Sequence, residues 1–251
     1  MPNVNRIEHP VLNVSIGGST PERRPSSFSL ITDEGFPSVI SSLCFPGNET
    51  IGETGDEVTV NMLSGEDEHL LFTGNVYSTG VQPKLRELRL TDSYKKLCDT
   101  CIVASYRKEQ AKIILQDTLD SAGINKTNVT CPSVEIARFS TKKIPAEYVI
   151  KLLIKALEEH GCMGLRFFFD EKDIFRFGTA ADSGKNEGKV FVFETGKNIL
   201  KKGVGWIDIL PMPIRHTQDV SVDSKTLVTR RTELFISGNH SRLRLWLREA
   251  V

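Results

Sequence analysis

Ile144-Pro-Ala-Glu-Tyr-Val-Ile-Lys-Leu-Leu-Ile-Lys-Ala-Leu-Glu-Glu-His-Gly161, with Gly164-Leu-Arg-Phe-Phe-Phe-Asp-Glu-Lys-Asp-Ile-Phe-Arg-Phe-Gly178 after it, decides how the rest of the chain is read. Pro145 suits a first helical turn, where its missing N–H costs nothing, and Glu147 puts negative charge at the positive end of the helix dipole. Gly161 can take the left-handed conformation that stops a helix. Between them Val149, Leu152, Leu153, Ala156 and Leu157 recur at helical spacing, which predicts a helix over about 145–160 with one buried face. Two aromatic runs around Asp170-Glu-Lys-Asp173 then predict a β-hairpin over 164–178. Helix and hairpin together form an α+β unit.

Upstream, the unit extends to a second helix over about 106–122, with Ala111, Ile114, Leu115, Leu119 and Ala122 as its apolar stripe and Gly123 as its stop. Arg107-Lys108 at its start opposes the dipole. Asn125 to Arg138 reads as loop with at most one strand. Nearer the amino terminus the pattern is β: Val11 to Ile16, Ser27 to Ile31, Glu57 to Leu63, His69 to Tyr77 with Gly74 as a bulge or bend, and Lys84 to Leu90. After an exposed loop at Ala180 to Gly188, expected to be the first site of proteolysis, β returns. Its strands are Val190 to Phe193, Trp206 to Leu210, Asp219 to Val222, Thr232 to Ile236 and Arg242 to Arg248. The fold class is α+β, mostly β. Residues 1–95 and 189–251 make two β-barrel-like modules, and 96–188 make the α+β middle between them.

With 251 residues, 39% apolar and 25% charged, the chain has the composition of a globular protein large enough for one to three cores. Lys+Arg 32 against Asp+Glu 32 leaves no global field to gather nucleic acid or an anionic membrane, so such contacts would need local patches. No stretch has the length of a membrane span or the apolar core of a signal peptide. Five cysteines fit a reducing compartment better than a disulfide framework.

Candidate chemistry is sparse. Cys98-Asp-Thr-Cys101 has the spacing of a zinc or dithiol pair, yet Cys44, Cys131 and Cys162 form no second close pair to complete four ligands, and inert thiols are the default. His9, His69, His160, His216 and His240 are scattered, and most of them read as surface residues. Asp170 and Asp173 lie in a turn, where carboxylates are ordinary, rather than as a glycosidase pair. Arg242, Arg244, Trp246 and Arg248 share one face of the last strand, the densest basic group besides the doublets Arg23-Arg24, Lys142-Lys143, Lys201-Lys202 and Arg230-Arg231. Solvated surface is the default for these, with contact to a nucleic acid or an acidic partner as the sharper reading. The residues themselves name no catalytic, cofactor or metal site.

With this layout in hand, three segments carry a resemblance. Gly55-Asp-Glu-Val-Thr-Val60 with Leu71-Phe-Thr-Gly-Asn-Val76, then Arg89-Leu-Thr-Asp-Ser-Tyr94, and then Ala146 to Gly161 with Leu165 to Phe169 and Ile174 to Phe177 resemble the phage tail hub family. That family comprises the late control protein D group, Mu-like baseplate hub proteins and the amino-terminal region of type VI secretion spike proteins. The resemblance implies two related barrels joined by α+β inserts, a homotrimeric ring, and a non-enzymatic place in a virion tail or baseplate assembled in the host cytoplasm. It also implies tail tube or tube-initiator and spike or needle proteins as partners, with DNA only as cargo through a channel and no cofactor. The alternatives are a peptidoglycan hydrolase domain of the same particle and a nucleic-acid-binding barrel.

Overall fold

Alternation of apolar and polar residues in the amino-terminal segment produces antiparallel strands whose buried sides face one core. A computed structural model of the chain describes residues 10–47, 51–64, 67–82, 84–179, 190–238 and 240–249. His9 and the expected cleavage loop at 180–188 lie outside the described residues. The strands of the first part are β1 (Val11–Ile16), β2 (Ser27–Asp33), β3 (Phe36–Pro46), β4 (Glu57–Ser64), β5 (Asp67–Gln82) and β6 (Leu85–Thr91). The middle holds α1 (Tyr94–Asp99), β7 (Cys101–Ile102), β8 (Ser105–Gln110), α2 (Ala111–Ser121), β9 (Thr127–Val129), β10 (Glu135–Ser140), β11 (Ile144–Pro145), α3 (Ala146–Glu159), β12 (Arg166–Phe169) and β13 (Phe175–Gly178). The last part is β14 (Phe191–Phe193), β15 (Ile199–Gly203), β16 (Trp206–Ile209), β17 (Asp219–Val222), β18 (Lys225–Ser237) and β19 (Arg242–Glu249). The fold is thus α+β and mostly β. It divides into a β unit, Met1–Asp92 with Lys185–Val251, and a middle unit, Ser93–Gly184.

In the β unit the two ends of the chain meet in one twelve-stranded sheet, ordered β1-β4-β5-β6-β3-β2-β18-β19-β16-β15, with β17 on β18 and β14 on β17. Among the described residues no ladder closes this path into a barrel. The joint is the antiparallel β2–β18 ladder, from Asp33 opposite Arg231 to Ser27 opposite Ser237. Its buried Thr32 and Thr232 hydroxyls bond each other at 2.8 Å, so the polar pair inside the joint is satisfied. Phe28, Leu43, Phe45, Val58, Met62 and Phe72 from one end share a core with Phe193, Ile209, Val220, Leu234, Leu243 and Leu245 from the other. β3 and β15 are strands that the local pattern does not announce. Gly74 is neither bulge nor bend: it sits in register opposite Val58, and the register shifts fall at Val60/Asn61 and Val76/Ser78.

The middle unit has its own core, in which Ile114, Leu115 and Leu119 of α2 meet Val149, Ile150, Leu153 and Leu157 of α3 and Phe167, Phe169, Phe175 and Phe177 of the hairpin. Phe169 and Phe175 pack edge to face at 5.5 Å. Gly161 ends α3 at φ 85° and Gly123 follows α2 at φ 66°, as their positions imply. Three expectations need correction. The helix placed at 106–122 begins only at Ala111: Ser105–Gln110 is β8, paired antiparallel with β10, and Lys108 at φ 48° is incompatible with a helix there. The opposition of Arg107 and Lys108 to a helix dipole is thereby avoided. A further short helix, α1, precedes Cys101. On α3 the buried face runs through Ala146, Val149, Ile150, Leu153 and Leu157, whereas Leu152 is 44% exposed, a helical step of about 100° from Leu153.

Candidate functional site

The cysteine pair is placed by α1. Cys98 sits in its last turn and packs against the middle core, while Cys101 begins β7 and is exposed. Burial, followed by the nearby Glu147 carboxylate, pushes the Cys98 thiol up, and a thiol held protonated at the carboxyl end of a helix is a poor nucleophile and metal ligand. Beside it, the Tyr94 hydroxyl donates to Glu147 Oε2, which also accepts Lys151 Nζ at 2.8 Å. Burial and then that bond raise Tyr94. Burial pushes Glu147 upward, but the bonds from Lys151 and Tyr94 outweigh it and its acidity increases. The cluster thus fixes the start of α3 to α1. Cys131, also packed on this core, is pushed up to about 11 by burial. Among the described residues no group of three or more His, Cys, Asp or Glu is placed to hold a metal.

Asp170 is buried and Asp173 half-buried. Asp170 Oδ1 accepts the N–H groups of Lys172 at 2.9 Å and Ile174 at 3.0 Å, and Oδ2 accepts Arg176 Nε at 2.8 Å and Nη2 at 2.6 Å. Asp173, at φ 56°, accepts the Ser93 N–H at 2.8 Å and the Ser93 hydroxyl. Burial raises the Asp173 carboxyl against these bonds. Asp170 braces the hairpin turn, and Asp173 ties that turn to Ser93 at the start of α1.

The basic face of β19 is largely neutralised. Arg244 makes two bonds to Asp208, at 2.7 and 2.9 Å, and lies 4.1 Å over the Trp206 ring. Arg248 makes two 3.0 Å bonds to Glu34, Arg231 pairs with Glu233 at 3.0 Å, and Lys202 reaches Asp223 at 2.6 Å. Trp246 donates its indole N–H to Glu233 at 3.3 Å. Positive charge already matched by carboxylates at this range releases few counterions on meeting a polyanion, which disfavours the nucleic-acid reading of this strip. Of the described histidines, His160 and His240 are exposed and His69 is half-buried, while His216, 4% exposed, belongs to the interior.

Among the described residues, two of the cavities open on the β unit. One, of about 340 Å³, lies between Ile16, the 19–23 segment, Ile51, Gly52 and Asp56. The other, of about 150 Å³, is a slot between the start of β1 (with Pro10), the Arg24-Pro-Ser26 segment leading into β2, and the end of β18. Sequence reasoning could not find the slot, because segments from opposite ends of the chain build it.

No family model and no curated protein matches the chain. Solved structures do. The prophage MuSo2 43 kDa tail protein of Shewanella oneidensis is similar at a TM-score of 0.73 and 11% identity, over 96% of this chain and 98% of that one. A tail protein of Neisseria meningitidis MC58 is similar at 0.70 and 13%, over 96% of each chain. The E. coli c3393 protein, a component of the type VI secretion system with structural similarity to the T4 bacteriophage tail proteins gp27 and gp5, is similar at 0.71 and 11%, over 95% of this chain and 77% of that one. The chain therefore has the fold of these phage tail proteins and of their secretion-system counterpart, the group to which the three sequence segments pointed.

Proposed function

We propose that the chain is a non-enzymatic structural protein of a phage or prophage tail, or of a tail-like injection machine, and acts as the hub that joins the tail tube to the spike. The observation that carries this reading is the likeness in fold to tail proteins over nearly the whole chain. The internal geometry supports it: the Glu147, Asp170 and Asp173 carboxylates are engaged in bonds that hold α1, α3 and the hairpin together. In this reading the β unit consists of two modules, 1–95 and 189–251, that meet at the β2–β18 joint, with β3 and β6 following outward on one side and β19 and β16 on the other. Three copies then offer six similar β surfaces, a match between a sixfold tube and a threefold spike. The partners are a second and third copy, a tail tube or tube-initiator protein and a spike or needle protein; DNA passes only as cargo. The protein resides in the virion tail or baseplate after assembly in the host cytoplasm.

The competing hydrolase reading is tested by zymography on peptidoglycan. The expected result is no cleared band. Clearing that is lost on Asp170→Asn or Asp173→Asn, in protein that remains folded, contradicts the structural reading, because those carboxylates would then be doing chemistry.

A further inference from the structure

We propose that the two-stranded ribbon of the middle unit, residues 103–108 against 137–143, is a docking site for a short acidic segment of a partner protein. This goes beyond the hub reading and does not depend on it.

Unmatched charge is the first observation. Val103-Ala-Ser-Tyr-Arg-Lys108 and Ala137-Arg-Phe-Ser-Thr-Lys-Lys143 together hold five cations and no carboxylate. Arg107, Lys108, Arg138, Lys142 and Lys143 are all exposed, and none of them has an ion pair among the described residues. The chain as a whole has equal numbers of acids and bases, and Arg244 and Arg248 of β19 are matched by Asp208 and Glu34. The ribbon departs from that balance.

Register concentrates the charge. Arg107 stands directly opposite Arg138 in the β8–β10 ladder, where facing Cβ atoms are about 5 Å apart and like charges destabilise. The pair Ser105 and Ser140, two residues further along, lies on the same side of the ladder and is also exposed, while Tyr106 and Phe139 between them turn toward the core. Beyond Ser140 the three residues Thr141 to Lys143 face only Val103 and Ala104 before Ile144 meets Ile102, so the lysine strand carries one extra residue and bulges. An anion from outside relieves this repulsion, with two guanidinium forks and two hydroxyls on one side to bind it.

What flanks the ribbon selects the occupant. Glu109, opposite Ile136, and Glu135, opposite Gln110, put negative charge at the α2 end of the ladder. A long polyanion lying along the ladder meets that repulsion, whereas a short acidic segment over 103–107 and 138–143 does not. The ribbon's aromatic residues are also withheld from a nucleic acid: Phe139 is buried, and Tyr106 is half-buried with its hydroxyl given to Asp117. Unstacked bases therefore find no aromatic platform here. Several closely spaced carboxylates on one protein segment meet both conditions.

The test uses the full chain and a capped synthetic peptide, Ser-Asp-Glu-Asp-Glu-Asp-Ser, with its amide counterpart Ser-Asn-Gln-Asn-Gln-Asn-Ser and an oligothymidylate of equal charge for comparison. Calorimetric titration at low salt is expected to show binding of the acidic peptide and none of the amide peptide, weakening as salt rises. NMR amide shifts should move at Arg107, Arg138 and Lys143. Arg138→Ala should weaken the acidic peptide by about tenfold and leave the melting temperature unchanged or higher, because one of two facing like charges is gone. Lys197→Ala, which removes an exposed cation of the β unit, should leave peptide binding unaltered. Equal binding by the Arg138→Ala protein overturns the proposal, as does failure of the unaltered chain to bind the acidic peptide at low salt. Tighter binding of the oligothymidylate, with shifts at the same amides, assigns the ribbon to a nucleic acid and overturns the assignment to an acidic partner.

Discussion

Leu153→Asp is expected to unfold the middle unit. Leu153 is fully buried on α3 between α2 and the hairpin, and a carboxylate there meets no cation, so its burial costs several kcal/mol, about the whole stability of a domain this size. Helical circular dichroism should fall to the level of unfolded protein for α2 and α3 at room temperature. Leu152→Asp, one residue away but 44% exposed, should shift the melting curve by less than about 0.5 kcal/mol. Similar melting curves for the two variants would show that α3 does not bury the face assigned to it.

Gly74→Ala is expected to be the most damaging small substitution in the β unit. A Cβ at this position would stand 2.3 Å from the Thr91 carbonyl oxygen and 2.6 Å from Phe72 Cζ. The carbonyl belongs to β6, which pairs with β5 at Asn75 opposite Thr91, so relief requires prying two central strands apart. The loss should be on the order of 3 kcal/mol, at the upper end of overpacking effects. Gly80→Ala in the same strand meets only Glu87, at 3.5 Å, and should be neutral or slightly stabilising, since alanine restricts the unfolded chain. Chemical denaturation of both variants separates the steric account from a general intolerance of alanine in β5.

How much of this is legible in the sequence depends on the range of the interactions. α3 and the aromatic hairpin are readable because their apolar spacing and their Gly161 stop are local. Ser105–Gln110 misleads for the same reason: Arg107, Lys108 and Glu109 are good helix formers, and the ladder to β10 that makes them a strand lies beyond any local window. Within β3, Ser41 is buried beside Val39 and Leu43, which blurs the alternation that would announce the strand. The arginines of β19 are visible in the sequence, but their partners Asp208 and Glu34 come from distant segments, so a paired face looks like a bare basic one. The joint between β2 and β18, with its Thr32–Thr232 bond, spans some two hundred residues and depends on register alone. The resemblance rests on the order of short motifs rather than on long-range pairing, and the fold agrees with that of tail proteins at 11–13% identity.

The central claim, a threefold hub between tube and spike, is tested most directly by the mass and shape of the assembled protein. Light scattering on the full chain, alone and with its tail tube and spike proteins, should give a mass of three 28.0 kDa chains in at least one of these conditions. Electron microscopy of that species should show a closed ring with a central opening. A monomer in every condition, or a closed dimer, contradicts the account.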